Sequence, residues 1–526
     1  MSKKIAIFCN VGLFTEIFEL QLEIAQKNLD LGNKVEFISC SGLISICEIN
    51  REKDLNVCIK CISRRKNGIS FLNSNVRDHN IHLFSNLKCR KIVKSLKTEF
   101  KSLDKLKTYK LEEFDIGQSV FSSIADINRE HDPDIKKYKN EIKNFIESSA
   151  HIYLSFENYL KKEKPDEIYL YNGRHALEKP IISICQKYNK TFFTYELSYN
   201  GGYDLFKNTQ PQDVDYRFKQ INNVWESSAL DEKIKIQIGK LFYLQQLGRR
   251  QGCISITESK DGIISVKNNK WNALDDIKVQ NQLPNNWNTE KHNIVMFISS
   301  EFEDYTSPEF YKKKNIYKSQ IEGIIRIVKE LDKHVELWVR LHPSFATFNV
   351  DTQEKKDFEK LSLLTSNLNI IEASSKFCSY HLIKNANKII AFRSTAGVEA
   401  AYAQKPVIMI WSHIFDKLNC CYSPKKHKEV ISLINDVNLV PLPRFDAIKF
   451  GFYTLKFGIL PTYYKRVPDV AYEDGWGEFK NRKVNYNQSI DKIFAVIFKN
   501  RFLYKLYLLF DRFLKFFTKA CMGAKS

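Results

Sequence analysis

The chain has 526 residues, 43% of them hydrophobic and 27% charged. That is more than one hydrophobic core usually serves and too apolar for a disordered protein. Lys and Arg total 81 against 61 Asp and Glu, a net charge of +20 with His neutral; this favours anionic partners such as nucleotides and phospholipid surfaces. Neither the aromatic RNP pattern, a zinc finger with paired His, nor a basic heptad region is present, so nucleic acid is not an expected partner. No apolar run reaches the roughly 18 residues of a spanning helix. Met1-Ser2-Lys3-Lys4 leads into an apolar stretch too short for a secretory signal. With 12 cysteines, the expected setting is a reducing cytoplasm with free thiols.

Lys4 to Phe8 reads as a buried strand, Thr15 to Leu31 as a helix stopped at Gly32-Asn33, and Val35 to Ser39 as a second strand. This opens a doubly wound sheet, without the GxGxxG nucleotide fingerprint in its first loop. From about 71 to 149 the chain is charged, helical and loop-rich, an insertion or helical layer. Alternation resumes with the strand Glu167 to Tyr171, a helix from Ala176 to Tyr188, and the strand Thr191 to Tyr195 ending in Glu196. Residues 270–290, with Trp271, Asn272, Pro284, Asn285 and Asn286, read as a linker.

A second α/β series follows. Strands are expected at Asn293 to Ile298, Val335 to Leu341, Leu368 to Ile371, Lys388 to Phe392 and Pro406 to Ile410. Helices are expected at Ser319 to Leu331, Tyr380 to Asn385 and Gly397 to Ala403. The fold expected is α/β, two Rossmann-like domains facing each other across a cleft, with a C-terminal amphipathic helix. The expected divisions are 1–285 (acceptor domain), 286–460 (donor domain) and 461–526 (return segment and tail).

The strongest motifs lie in the second half. The strand ending in Arg340 and Leu341 runs into His342-Pro343-Ser344. Ligands of open α/β sheets bind outside the carboxyl ends of strands, and two donor groups there suit a phosphate. About fifty residues on, Lys388 to Phe392 leads through Arg393 into Ser394-Thr395-Ala396-Gly397-Val398-Glu399. Hydroxyls and free N–H groups at a helix N-terminus form an anion site, and Glu399 can accept from ribose hydroxyls. Ordinary capping by Ser394 or Thr395 is the plainer reading of the same residues.

Arg340-Leu341-His342-Pro343 together with Ser394 to Ala401 and Lys405-Pro406-Val407-Ile408 resembles bacterial capsule and lipopolysaccharide glycosyltransferases of GT-B fold. Asp115-Ile116-Gly117 through Ser122-Ser123, Asp132-Pro133-Asp134, Asn172-Gly173-Arg174, and Cys47-Glu48-Ile49-Asn50 to Cys61 look like a capsule-biosynthesis subgroup. The resemblance implies that Arg340, His342, Ser394, Thr395, Gly397 and Glu399 hold a nucleotide-sugar donor, and that Asn172, Gly173 and Arg174 serve the acceptor. Arg393, where many relatives carry a small residue, and Gln404, where Gly is common, depart from the pattern.

Inverting transfer needs a base to deprotonate the acceptor hydroxyl. Glu196 is the first candidate, with Glu16 and His175 as alternatives. No Asp-x-Asp metal motif stands where a GT-A enzyme needs one, so neither metal nor cofactor is expected. Cys47, Cys58 and Cys61, with Cys40 upstream, have zinc-like spacing but no His nearby, so they read either as a structural zinc site or as buried thiols. From Asp491 to Lys519, Arg501, Lys505, Arg512, Lys515 and Lys519 share a stripe at about 100° per residue, opposite aromatic and aliphatic positions. This reads as an interfacial membrane helix or as a helix packed on the body.

The expected activity is therefore sugar transfer from a nucleotide-activated donor to a growing surface glycan or lipid-linked acceptor. The expected place is the inner face of the cytoplasmic membrane, against an anionic surface. The alternatives are a GT-B-fold nucleotide-sugar epimerase and a non-catalytic, membrane-bound capsule assembly protein.

Overall fold

A computed structural model describes residues 2–251, 255–258, 264–267, 283–306, 315–342, 345, 353–361, 367–375, 377–411, 414–465 and 477–485. The expected tail from Asp491 and most of the expected linker lie outside the described residues.

Two sheets organise the chain. The first contains β1 (Lys4–Cys9), β2 (Lys34–Ser39), β3 (Arg77–Asn80), β4 (Glu167–Tyr171), β5 (Thr191–Leu197) and β6 (Tyr203–Lys207), in the order β3-β2-β1-β4-β5-β6. All pairings are parallel except β5 with β6. After the hairpin β7 (Ser255–Glu258) and β8 (Ile264–Lys267), the second sheet contains β9 (His292–Phe297), β10 (Val335–Arg340), β11 (Leu368–Ile371), β12 (Lys388–Ala391) and β13 (Val407–Met409). Its order is β11-β10-β9-β12-β13, parallel throughout. Both sheets thus start in the middle, run out to one edge, and return to the other side of the first strand. In each, a topological switch point opens between the first strand and the fourth, where doubly wound sheets bind ligands.

The central strands are short apolar runs because both faces are covered. Ile5, Ile7 and Phe8 of β1, and Ile294, Val295 and Met296 of β9, are buried. Helix Ile17–Asp30 starts in a reciprocal capping box, with the Glu16 amide donating to the Glu19 carboxylate at 2.8 Å. Helix Lys139–Glu163 spans 25 residues behind the first sheet and ends at left-handed Lys164.

Helices Val214–Ser227 and Glu232–Gln251 precede the expected division at 285, yet Val214, Ile221, Phe242 and Tyr243 share the apolar core of the second sheet. Helix Phe445–Lys456 crosses Glu232–Gln251 at Gly239 and Gly451. A Cβ on Gly451 would overlap the Gly239 carbonyl oxygen, so the helices meet backbone to backbone. The chain then returns to the first sheet. Ile459 bridges Tyr203, and the Glu23 carboxylate accepts from the amides of Thr462, Tyr463 and Tyr464 at 2.7–2.9 Å. Strands β14 (Tyr464–Lys465), β15 (Gly477–Phe479) and β16 (Arg482–Val484) finish there, where buried Arg64 donates to the Val484 carbonyl at 3.1 Å. Among the described residues no helix is long and apolar enough to cross a membrane.

Past Glu196 the chain makes a tight turn. Leu197 pairs with Tyr203 across it, and the Asn200 side chain closes it by accepting from the Gly202 amide at 3.0 Å.

Candidate active site

In the second sheet, three neighbouring strand ends are tied by side chains. Beyond β9 the chain passes Ser299 and Ser300 into the one-turn helix Glu301–Tyr305. Ser300 Oγ lies 3.3 Å from His342 Nδ1, beyond β10. On the other flank, Asp304 pairs with Arg393 Nε at 3.0 Å, beyond β12, and accepts from Ser299 Oγ at 2.7 Å. Arg393 holds φ at +52°, a conformation that favours glycine. That turn aims the chain into helix Thr395–Tyr402, whose N-cap is Ser394; its hydroxyl accepts from the Ala396 amide at 3.3 Å.

The expected donor residues therefore fall into two sets. His342, Ser394 and exposed Thr395 stand just beyond the strand ends, with Arg393 beside them. Arg340 is buried, donating to the carbonyls of Glu372 and, at 2.9 Å, Ser375, so it braces the loop after β11. Gly397 packs the helix on the sheet: a Cβ there would stand 2.6 Å from Met409 Cε. Glu399 is buried one turn further in. Pro343 and Ser344 lie outside the described residues.

The first sheet presents a cluster of ionisable groups at its own switch point. Asn172 and Gly173 both take positive φ, 47° and 91°, and turn the chain sharply off β4. This delivers Arg174 and His175 to Asp126 on helix Ile116–Asn128, at 3.2 and 3.5 Å. His175 also lies 4.0 Å from Glu178, which accepts from Asn10 beyond β1. Ser123 Oγ donates to Glu48 at 2.8 Å and accepts from the Ala176 amide at 2.8 Å. Burial, then the charge of Glu178, push the Glu48 carboxyl up to about 7. Burial also raises Glu178, against His175 and Asn10. For His175 burial is the largest influence and acts downward, but the hydrogen bond and charge of Asp126 with the charge of Glu178 together outweigh it and raise the imidazole. Glu196 accepts from Tyr171 at 3.0 Å and Asn172 at 2.7 Å; burial raises it against those two bonds. Glu16, the other alternative base, sits at φ +72° in the N-cap of the first helix.

Asp126 and Glu178 were missed from sequence, and Glu48 was quoted in a motif without a role. Asp126 lies one helical turn beyond Ser123 and Glu178 one turn beyond His175, both next to quoted motif residues; that spacing was the available signal.

The two clusters meet through one turn. Thr306, just past Glu301–Tyr305, accepts from Ser122 Oγ at 3.0 Å, and the Arg129 guanidinium lies 4.9 Å from the Phe302 ring. Burial raises the Glu303 carboxyl, opposed by Arg174 of the first cluster. The same turn carries Asp304, which holds Arg393. Chemically, the arrangement offers cationic and hydroxyl donors on one side and proton-accepting carboxylates with an imidazole on the other.

No protein-family model matches the chain, and no curated protein matches it. Among solved structures it is similar to two from Thermosulfurimonas dismutans KpsC. For the beta Kdo 2,4 transferase, identity is 12%, coverage 55% of this chain and 88% of that chain, and TM-score 0.31. For the beta Kdo 2,7 transferase the values are 13%, 65%, 89% and 0.31. It is also similar to the UDP-GlcNAc 2-epimerase of Neisseria meningitidis bound to UDP-GlcNAc, at 10% identity, 95% and 100% coverage, and TM-score 0.28. Likenesses of this extent speak to neither substrate nor reaction.

Proposed function

We propose that the chain is a glycosyltransferase that moves a sugar from a nucleotide-activated donor to a growing surface glycan or lipid-linked acceptor in capsule or lipopolysaccharide biosynthesis. The observation that supports this most is the pairing of two switch points. His342, Arg393, Ser394 and Thr395 stand at one, carboxylates and His175 at the other, bridged by Glu301–Tyr305. In this reading the donor phosphates lie against His342, the two hydroxyls and the N-terminal amides of helix Thr395–Tyr402. Arg340 acts through the loop it braces, and Glu399 through the packing of its helix. The acceptor hydroxyl is deprotonated as it attacks the anomeric carbon, and the nucleotide departs on the opposite face with its charge met by those donors.

Glu196 is the proposed base, oriented by Tyr171 and Asn172, with Asn172, Gly173 and Arg174 shaping the acceptor side. His175, held by Asp126, and Glu16 are the alternatives. The basic tail is the proposed contact with an anionic membrane, which keeps the enzyme near a lipid-linked acceptor.

The test is product analysis of the full chain with a panel of nucleotide-sugars and a polyprenyl-linked acceptor. Transfer that needs the acceptor supports the reading. Donor turnover without acceptor moves the assignment to an epimerase, and no turnover with any donor moves it to a binding protein.

A further inference from the structure

Beside the first cluster, five cysteines line one small cavity. Cys9 ends β1, Cys40 follows β2, and Cys47 bridges to Asn50 in a short turn. Cys58 and Cys61 lie one turn apart on helix Leu55–Ile69, whose N-cap is Asp54. The cavity they enclose is about 40 Å³; one water needs roughly 10–15 Å³, so an ion fits and a multi-iron cube does not. Among the described residues every cysteine is free.

Two N–H groups are aimed at sulfur. The Gly42 amide donates to Cys40 Sγ at 3.1 Å and Asn50 Nδ2 to Cys58 Sγ at 3.2 Å. Donors of this kind suit thiolates far better than thiols, and they are the second shell that orients metal-ligating sulfur. Lys53 and Arg65 stand on the cavity wall, and Arg65 also donates to the Cys40 carbonyl at 3.1 Å. Soft sulfur ligands with no His or carboxylate lining the cavity select a soft or borderline ion.

We propose that Cys40, Cys47, Cys58 and Cys61 bind one zinc ion as a closed tetrathiolate. Binding releases the thiol protons to solvent, four for four neutral thiols, and leaves a site of net charge −2 opposite Lys53 and Arg65. Cys9 remains packing at its floor. No three of these sulfurs yet lie within 4.8 Å of one another. Rotation of the Cys40 and Cys47 side chains, both on loop backbone, must draw them to the roughly 2.3 Å Zn–S distance. The ligand triad already that close among the described residues is Glu36, His79 and Glu163. Its place is taken by the Lys4 ammonium, 3.2 Å from Glu36 and 2.9 Å from Glu163. Zinc at the thiols would pin the loop that carries Glu48, fixing the acceptor side of the cleft whatever reaction occurs there.

The test uses the full, reduced chain. Cobalt(II) is titrated in, and the thiolate charge-transfer and tetrahedral d–d bands are recorded. The expected result is one equivalent per chain, displaced by zinc, lost in Cys58→Ser/Cys61→Ser and kept in Cys185→Ser. Asn50→Ala should weaken binding about tenfold. Should the double variant not fold, alkylation mapping of the wild type serves: zinc should protect these four cysteines and not Cys89. Absent bands, bands that survive the double substitution, a disulfide among the four, or unprotected thiols would each overturn the proposal.

Discussion

Asp126→Asn is the most informative single change in the first cluster. The substitution keeps the shape and removes the charge that holds Arg174 at 3.2 Å and His175 at 3.5 Å. Hydrogen bonds to charged groups contribute about 1.5–3 kcal/mol each. With Asp126 24% exposed and its partners 16% and 12% exposed, solvent screening sets the combined loss at about 2–3 kcal/mol. At about 2–4 °C per kcal/mol for a unit of 150–250 residues, that lowers Tm by about 4–12 °C. The pH dependence carries a sign. Against burial, Asp126 and Glu178 together raise His175 above its ordinary 6.5, so the Asp126 stabilisation is complete below pH 6.5 and is lost as pH rises through the raised value. In the variant, burial and the Arg174 charge act downward on His175 while the Glu178 charge acts upward; Glu48 also lies nearby. The gap in Tm between wild type and variant should therefore be widest near pH 6 and narrow toward pH 8.5, the Arg174 part remaining. Differential scanning fluorimetry across that range measures it. Equal Tm values at pH 6, or a gap that widens with pH, would refute the reasoning.

Other consequences are equally open to measurement. Glu196→Gln should abolish transfer while leaving nucleotide affinity within twofold; turnover near wild type would pass the base role to His175 or Glu16. Gly451→Ala forces a methyl into the Gly239 carbonyl at the helix crossing, an overpacking cost of about 1–3 kcal/mol, read as a lower midpoint in urea with unchanged slope. Half-buried His151, its ring 4.3 Å from that of His82 and tilted by 32°, has its imidazole lowered to about 4 by desolvation and then Arg90. Its folded value lies below the unfolded 6.5, so stability is full above pH 6.5 and falls by roughly 3 kcal/mol as pH drops toward 4; His151→Asn should flatten that slope. Deleting residues 491–526 should release the protein from anionic vesicles without changing its Tm, whereas a truncated protein that unfolds would show that the tail packs on the body.

Where hydrophobic period and strand length agreed, the sequence was legible. β4 runs Glu167–Tyr171 and β11 runs Leu368–Ile371 as expected, and the helix expected from Ser319 begins with that Ser as N-cap, accepting from the Glu322 amide at 3.1 Å. Helix Leu55–Ile69 went unread because two Arg side chains, Arg64 and Arg65, are buried within it, and a buried charge breaks the apolar stripe. Strand β3, Arg-Asp-His-Asn, is as polar as a loop; it holds its edge through the ion pair of Asp78 with Arg65 at 3.0 Å and the contact of His79 Nε2 with the Glu36 carboxylate at 3.1 Å. Gln404 is a local conflict of the same kind. It takes φ +58° just past a helix end, where glycine is unstrained. Arg393 likewise stands where a smaller residue is easier, and its pairing with Asp304 accounts for its presence. Asp304, on the one-turn helix beyond β9, reaches Arg393 from another strand end, which one-dimensional spacing does not reveal.

Nucleotide binding to the full chain tests the central claim most directly. Isothermal titration with CMP, CDP, UDP and GDP, repeated on His342→Ala and Arg393→Ala, should find one nucleotide that binds the wild type. Both variants should weaken it tenfold or more, since each loses a hydrogen bond to a charged group, about 1.5–3 kcal/mol. No affinity for any of the four, or equal affinity in wild type and both variants, would contradict a donor site at the β9, β10 and β12 strand ends.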